Sequence, residues 1–260
     1  SLLSQASNQT SIQSGIGSSG NIDLILGDGL ARNAGDGNFE PLVTVAAGAA
    51  VTAIATGVLT ADFNKDGKSD LLTLNFGVAD AYLMLSNGDG SFAAAVSYAT
   101  STQPADAAVA DLNGDGNEDL IISNFVSKNI SVLLGNGNGS FQAQTLLAVP
   151  GGAIPRAIEV GDINNDGKKD LMVRSSIGIL SYMGNGNGTF EAGSLSSITS
   201  SQTGLLVDIN ADGNLDYFQG GGGAGHMLYY GNGNGTFAAA VTIASTNGWG
   251  NLPVAGDFNR

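Results

Sequence analysis

Short apolar runs recur along the chain, and each is stopped by a polar, glycine-rich stretch. In the clearest copy, residues 107–110 are a run of small side chains, followed by a nine-residue, largely polar loop, 111–119. Residues 120–124 form a second run and 130–134 a third. After the glycine-rich stretch 135–139, Phe141 leads into a fourth run that ends near Val149. Runs this short, bounded by Asn-Gly pairs and lacking a sustained helical period, predict strands rather than helices. Asn-Gly permits the positive φ angles of a tight hairpin, so consecutive runs are expected to pair antiparallel.

The unit repeats. The polar loop fits D-x-N-x-D-G-x-x-D at 62–70, 111–119, 162–170 and 208–216, and a fifth copy begins at Asp257. The leading aspartates, at 62, 111, 162, 208 and 257, are spaced 49, 51, 46 and 49 residues apart. The glycine-rich turn recurs at 86–92, 184–190 and 231–237, each copy ending in phenylalanine. These phenylalanines are expected to pack between neighbouring sheets. Four antiparallel strands at a period near 50 predict one blade of a β-propeller, so the fold class is all-β. The first run of each unit is poor in bulky residues, as suits an innermost strand. The second run is apolar without alternation, as suits a strand covered on both faces.

The ends set the repeat count. Residues 21–29 align with 129–137, which predicts 22–26 as a third strand and 30–34 as an insertion. Residues 1–4 align with 70–73, the start of a second strand. The expectation is one propeller domain over 1–260, with repeats near 51–100, 101–150, 151–199 and 200–251. A fifth blade would take residues 1–50 together with 252–260 and close a five-bladed ring, leaving no exposed sheet edge. The alternative is a stretch of a larger ring of the seven-bladed type.

Composition sharpens this picture. Forty glycines and five prolines imply many tight turns, and 42% hydrophobic residues suffice for a core. With no cysteine, a disulfide framework and thiolate metal sites are excluded. No run of about 20 apolar residues is present, so no membrane-spanning helix is expected. The net charge of −14 argues against a nucleic-acid partner, which needs clustered Lys and Arg. Twelve of the 23 acidic residues occupy positions 1, 5 and 9 of the four complete loops. Four bound divalent cations would add a charge of about +8 and remove much of the imbalance.

That placement points to metal. Calcium takes about six to eight oxygen ligands at roughly 2.3–2.6 Å in a flexible shell. In each loop, positions 1, 3, 5 and 9 supply side-chain oxygens and position 7 its backbone carbonyl, while glycine at 6 allows the turn. The expected ligands are Asp62, Asn64, Asp66, Lys68 and Asp70; Asp111, Asn113, Asp115, Asn117 and Asp119; Asp162, Asn164, Asp166, Lys168 and Asp170; and Asp208, Asn210, Asp212, Asn214 and Asp216. About four structural Ca2+ ions follow from this reading. Magnesium, which demands a small octahedral cage, fits less well. Asp257 and Asn259 begin a fifth loop without positions 5 and 6, so that site is expected to be empty or weak.

The D-x-N-x-D-G-x-x-D-L loop, the G-N-G-N-G-[ST]-F turn and the period of about 50 resemble FG-GAP/VCBS repeats. Such repeats occur in the integrin α-subunit propeller and in many secreted bacterial proteins. The resemblance covers nearly the whole chain and implies calcium held structurally between the first two strands of a blade. Integrin-like propellers usually have about seven blades, from which five repeats depart.

The loops look like girders rather than catalysts, because their ligand sets leave no place for a substrate. His226, the single histidine, follows the glycine-rich stretch 220–225 and reads as a plain loop residue between second and third strands. No enzyme activity is expected. Trp249, the only tryptophan, lies between Gly248 and Gly250 and is flanked by Asn247 and Asn251. An indole beside amide donors suits stacking on a sugar ring; the plainer reading is a plug between blades. Some calcium-loaded propellers with such repeats are lectins, and this chain is similar in architecture. The expected function is therefore a secreted, calcium-stabilised binding module, carbohydrate-binding or adhesive, at the cell surface or outside the cell. Its partner would be a glycan or an extracellular protein. The alternative is a structural surface protein that associates with itself. Asn-x-Ser/Thr at Asn138, Asn187 and Asn234 falls in the tight turns, where turn geometry explains it without glycosylation.

Overall fold

The computed structural model describes residues 55–75, 77, 79–196, 198, 204–220 and 226–243, together with four short strands before residue 45. The described residues form five four-stranded antiparallel sheets. The first holds β1 (Ile12–Ile16), β2 (Ile22–Leu26), β3 (Gly29–Ala31) and β4 (Val43–Thr44). The second holds β5 (Ala55–Ala61), β6 (Asp70–Asn75), β7 (Asp80–Met84) and β8 (Val96–Ala99). The third holds β9 (Pro104–Ala110), β10 (Asp119–Asn124), β11 (Asn129–Leu133) and β12 (Thr145–Ala148). The fourth holds β13 (Pro155–Gly161), β14 (Asp170–Ser175), β15 (Gly178–Tyr182) and β16 (Ser194–Leu195). The fifth holds β17 (Gly204–Val207), β18 (Asp216–Gln219), β19 (His226–Tyr229) and β20 (Val241–Ile243). In every sheet the strands lie in chain order, so each is a simple meander. One 3-10 turn, Pro150–Gly152, is the only helical element among the described residues, and none is long and apolar enough to cross a membrane.

The N-terminal sheet differs from its expected layout. Ile22–Leu26 is its second strand, paired with β1 from Ile12↔Leu26 to Ile16↔Ile22, and not its third. Gly29–Ala31 is the third strand, with Leu26 opposite Gly29, although Leu30 and Ala31 were expected to begin an insertion. Only Gly27 and Asp28 separate the two strands, and a Gly-Asp pair suits a two-residue hairpin. The sequence match to 129–137 obscured this, because the extra residues themselves pair. Residues 1–4 and 252–260, expected to complete this blade, lie outside the described residues.

The chain divides into two compact units. One comprises residues 1–111 and 115–146, the other 112–114 and 147–260. Within the first, β1 lies against β5 and β5 against β9, so the leading strands of successive sheets are neighbours. β6 and β10 are buried at all six residues, as suits strands with consecutive apolar residues covered on both faces. Leu72, Leu74, Ala81 and Leu83 of the second sheet meet Ala107, Leu120, Ile122 and Leu133 of the third in one core. Phe141, from the turn of the third sheet, packs edge-on to Phe63 at 5.5 Å and to Tyr98 at 5.0 Å, both from the second. Edge-to-face contacts of this kind are favoured by the ring quadrupole. This is the intersheet role expected of the turn phenylalanine.

The second unit repeats the arrangement. β13 lies against β17. Ile163, Met172 and Ile179 of the fourth sheet share a core with Tyr217, Tyr229 and Phe237 of the fifth. Burial pushes the Tyr182 hydroxyl up to about 12, and its Oη donates to the Ala148 carbonyl at 3.1 Å. His226, expected in a loop, opens β19 opposite Ile243. Its ring lies 5.7 Å from that of Phe218 on the neighbouring strand. Phe237→Ala should cost roughly 3 kcal/mol, because a buried aromatic is removed from a packed core. Urea denaturation checks this; an unchanged midpoint would remove the intersheet role of the turn phenylalanine.

Candidate metal centre

Each polar loop is built by its own side chains. The position-1 carboxylate accepts two backbone N–H groups. Asp62 Oδ1 accepts from Asp66 at 3.0 Å and Oδ2 from Gly67 at 2.8 Å. Asp111, Asp162 and Asp208 repeat this with their own positions 5 and 6. At position 3, Asn64, Asn164 and Asn210 each accept the position-5 N–H at 3.0 Å. The position-5 carboxylate accepts the position-7 N–H, as in Asp115 from Asn117 at 2.8 Å. These bonds are local, so nine residues determine the loop's path.

Two positions have left-handed backbone. Glycine at position 6 was expected there, and Gly67, Gly116, Gly167 and Gly213 have φ between 78 and 88. Position 4 was not foreseen. Lys65, Gly114, Asn165 and Ala211 occupy it with φ of 60, 75, 59 and 59. Only one of the four is glycine, which hides the requirement in the sequence. The loop hydrogen bonds on either side hold the strained residue in place.

Position 9 does something the sequence did not reveal. Asp70, Asp119, Asp170 and Asp216 are wholly buried at the start of the second strand. Asp70 Oδ2 accepts the Phe63 N–H from position 2 at 3.0 Å, and Oδ1 accepts the Ser86 N–H from the glycine-rich turn at 2.8 Å. Asp170 joins Ile163 and Gly184 in the same way, at 3.0 and 2.7 Å. Asp216 joins Ile209 and Gly231, at 3.0 and 2.9 Å. Asp119 accepts the Gly135 N–H at 2.7 Å. The close approach explains the glycine. A Cβ on Gly135, Gly184 or Gly231 would run into the position-8 carbonyl of Glu118, Lys169 or Leu215. The same position-2 residue faces the next sheet: Gly139 N–H donates to the Phe63 carbonyl at 2.9 Å, Gly188 to Leu112 at 3.2 Å and Gly235 to Ile163 at 2.9 Å.

The electrostatics follow from burial. Desolvation pushes the Asp70 and Asp170 carboxyls above the ordinary range, backbone hydrogen bonds oppose it, and the neighbouring position-5 and position-1 carboxylates add to it. Burial likewise raises Glu118, with the Asp111 and Asp62 charges adding. Position 5 is exposed and shifts the other way. The Lys68 side-chain hydrogen bond lowers Asp66, and the backbone N–H of Lys168 and of Asn214 lower Asp166 and Asp212. The first and third loops carry an internal cation: Lys68 Nζ lies 3.1 Å from Asp66 Oδ2 and Lys168 Nζ 3.2 Å from Asp166 Oδ2. In the second and fourth loops, position 7 is an amide. Asn117 Nδ2 donates to the Gly135 carbonyl, and Asn214 Oδ1 accepts from Asn165 of the third loop at 2.7 Å.

The oxygen-only donors of positions 1, 3, 5 and 9 suit a hard divalent cation, and the raised buried carboxyls would gain from one. Among the described residues, no three acidic or histidine side chains converge on one point. The carboxylates face backbone N–H groups instead. Trp249, Asn247, Asn251, Asp257 and Asn259 lie outside the described residues.

Two substitutions separate staple from surface. Asp119→Ala should cost about 3 kcal/mol in metal-free protein, since buried N–H groups lose their acceptor. Asp115→Ala, at an exposed position, should move the midpoint far less; equal losses would overturn the distinction. Ala211→Gly should add roughly 0.5–1 kcal/mol by relieving the left-handed backbone. Thermal unfolding in chelator measures all three.

The fold and repeat have solved counterparts. A lectin from Agrocybe aegerita that recognises non-reducing terminal N-acetylglucosamine is 24% identical, with a TM-score of 0.65 over 90% of this chain. The match spans 66% of that lectin's length. The fucose-specific lectin from Aleuria aurantia is 12% identical, with a TM-score of 0.53 over 92% of this chain and 80% of its own. BBS1N, solved in complex with ARL6DN, is 11% identical, with a TM-score of 0.58 over 92% of this chain and 71% of its own. At these identities the likeness shows the fold. No curated protein matches the chain by sequence. Residues 62–122 and 111–173 match the FG-GAP-like repeat, so residues 62–173 carry FG-GAP-like repeats, and the described sheets are four-stranded and antiparallel, of the β-propeller kind.

Proposed function

We propose that this chain is an extracellular β-propeller binding module, stabilised by calcium and directed at carbohydrate. The observation that carries the reading is the polar loop, repeated in phase four times with three carboxylates in each copy. Positions 1, 3, 5 and 9 of each loop, with the position-7 carbonyl, would hold the ion. When bound, calcium supplies positive charge beside carboxylates that otherwise repel one another. A ligand that binds only the folded chain at about a hundred times its Kd adds about 2.7 kcal/mol of stability. Low calcium in the cytosol argues for a setting outside the cell. For the sheets we propose a closed ring of five blades, against the alternative of an arc from a larger ring. A scattering profile that fits only an open arc would overturn the ring.

The carbohydrate reading is supported by the likeness to two lectins of propeller type. Trp249, with Asn247 and Asn251, is the candidate sugar platform. No catalytic step is proposed. A second reading, a structural module that associates with itself, is favoured by the outer strands. Val96, Leu146, Leu195 and Val241 lie on these strands with 46–59% exposure, and no charge interrupts β8, β12, β16 or β20. Edge strands without charge or proline are open to pairing.

Excess EGTA should lower the melting temperature of the calcium-loaded chain, and Asp66→Ala should remove part of that difference. A melt unchanged by chelation would end the calcium reading. A glycan array with and without chelator tests the other part. Calcium-dependent sugar binding lost in Trp249→Ala is the expected outcome. An array without hits, together with assembly that rises with concentration, would replace carbohydrate with self-association.

A further inference from the structure

The glycine-rich turns carry two Asn-Gly pairs each in the third, fourth and fifth sheets: 136–137 and 138–139, 185–186 and 187–188, 232–233 and 234–235. Asn-Gly is the pair most open to spontaneous imide formation, since glycine leaves its nitrogen unhindered. All six asparagines are exposed, so access does not separate them. Hydrogen bonding does.

The second asparagine of each pair is held at both reacting ends. Asn138 Oδ1 accepts the Ser140 hydroxyl at 2.6 Å and its N–H at 3.1 Å. Asn187 and Asn234 are held in the same way by Thr189 and Thr236. The nitrogen that would attack is also engaged, because Gly139, Gly188 and Gly235 donate to the position-2 carbonyl of the preceding loop. At the first asparagine the nitrogen is free. Among the described residues, the N–H groups of Gly137, Gly186 and Gly233 make no hydrogen bond. The side chain is tied only through Nδ2, which donates to the Ser140, Thr189 or Thr236 hydroxyl at 2.9 Å.

We infer that Asn136, Asn185 and Asn232 are sites of spontaneous deamidation and that Asn138, Asn187 and Asn234 are protected by the fold. Solvent base removes the proton of the glycine nitrogen, whose electron pair attacks the asparagine Cγ. The Cγ–Nδ2 bond breaks and the amide leaves as ammonia, giving a cyclic imide. Water then opens the ring at either carbonyl, forming an aspartyl or an isoaspartyl residue. No oxidant or cofactor enters.

The isoaspartyl product inserts a methylene into the main chain at the tightest point of the turn. The N–H of Asn136 donates to the Ser140 carbonyl at 2.9 Å, and Gly137 lies so close to Asn117 Oδ1 of the polar loop that a Cβ there would displace that side chain. A lengthened backbone at this point pushes against the loop. The second position already accepts the aspartyl form. In the second sheet Asp89 stands there, and its Oδ1 takes the same two bonds from Ser91, at 2.8 and 2.6 Å. That sheet also provides a graded case. The Gly88 N–H donates to Ser86 Oγ at 3.2 Å, so Asn87 should react more slowly than Asn136, Asn185 and Asn232.

The test is ageing of the full chain at mildly alkaline pH in 18O-labelled water, followed by peptide mapping and isoaspartyl methyltransferase labelling. Label should enter Asn136, Asn185 and Asn232 roughly fivefold or more ahead of Asn138, Asn187 and Asn234, as expected for loss of one hydrogen bond. In urea the six sites should react alike. Equal rates in the folded chain, a faster second site, no label at any site, or the same bias persisting in urea would each overturn the inference.

Discussion

A buried carboxylate with both oxygens satisfied by backbone N–H groups is the contact on which each repeat depends. Burying a charge is costly unless hydrogen bonds replace its water. At position 9 one oxygen takes the N–H of position 2 and the other takes the first N–H of the glycine-rich turn. Two loops far apart in sequence are thereby tied to the first residue of the second strand. The position-2 residue then carries the tie outward. Its carbonyl receives a turn glycine of the following sheet, and its side chain enters the core between sheets. One residue thus links the interior of a sheet to its neighbour.

That framework leaves a different task to the other carboxylates. Positions 1 and 5, half-buried and exposed respectively, bend the loop by accepting its own N–H groups. In two loops a lysine pairs with position 5. In the other two an amide stands at position 7. The repeats are therefore alike in backbone and unlike in charge. This difference arises because position 7 contributes its main chain to the loop in every copy, while its side chain is free to vary.

Much of the architecture was legible before any coordinates. The period, the consecutive apolar residues 120–122 and the phenylalanine at 141 predicted the meander, the doubly covered strand and the aromatic contact between sheets. The misreadings share a cause. Residues 22–26 were placed by likeness to a later copy, yet strand order depends on which segments pair, and Gly29–Ala31 competed for the place. His226 was read from the glycine-rich stretch before it, while its pairing with Ile243 places it in a strand. The left-handed residue at position 4 escaped notice because Lys65, Asn165 and Ala211 share no side-chain chemistry.

By itself, the sequence determined the local geometry: where strands begin, where glycine permits a turn, and which nine residues fold into a loop. Those outcomes rest on interactions between residues a few positions apart, which a linear pattern records. The tertiary structure alone decided what the loop residues are tied to. Asp70 reaches Ser86, Phe63 reaches Gly139, and Gly135 meets the Glu118 carbonyl, across separations that no period encodes. The aspartates of positions 1, 5 and 9 look equivalent in the motif. Burial separates them, because a carboxylate removed from water must find its donors inside the fold, and one left at the surface need not.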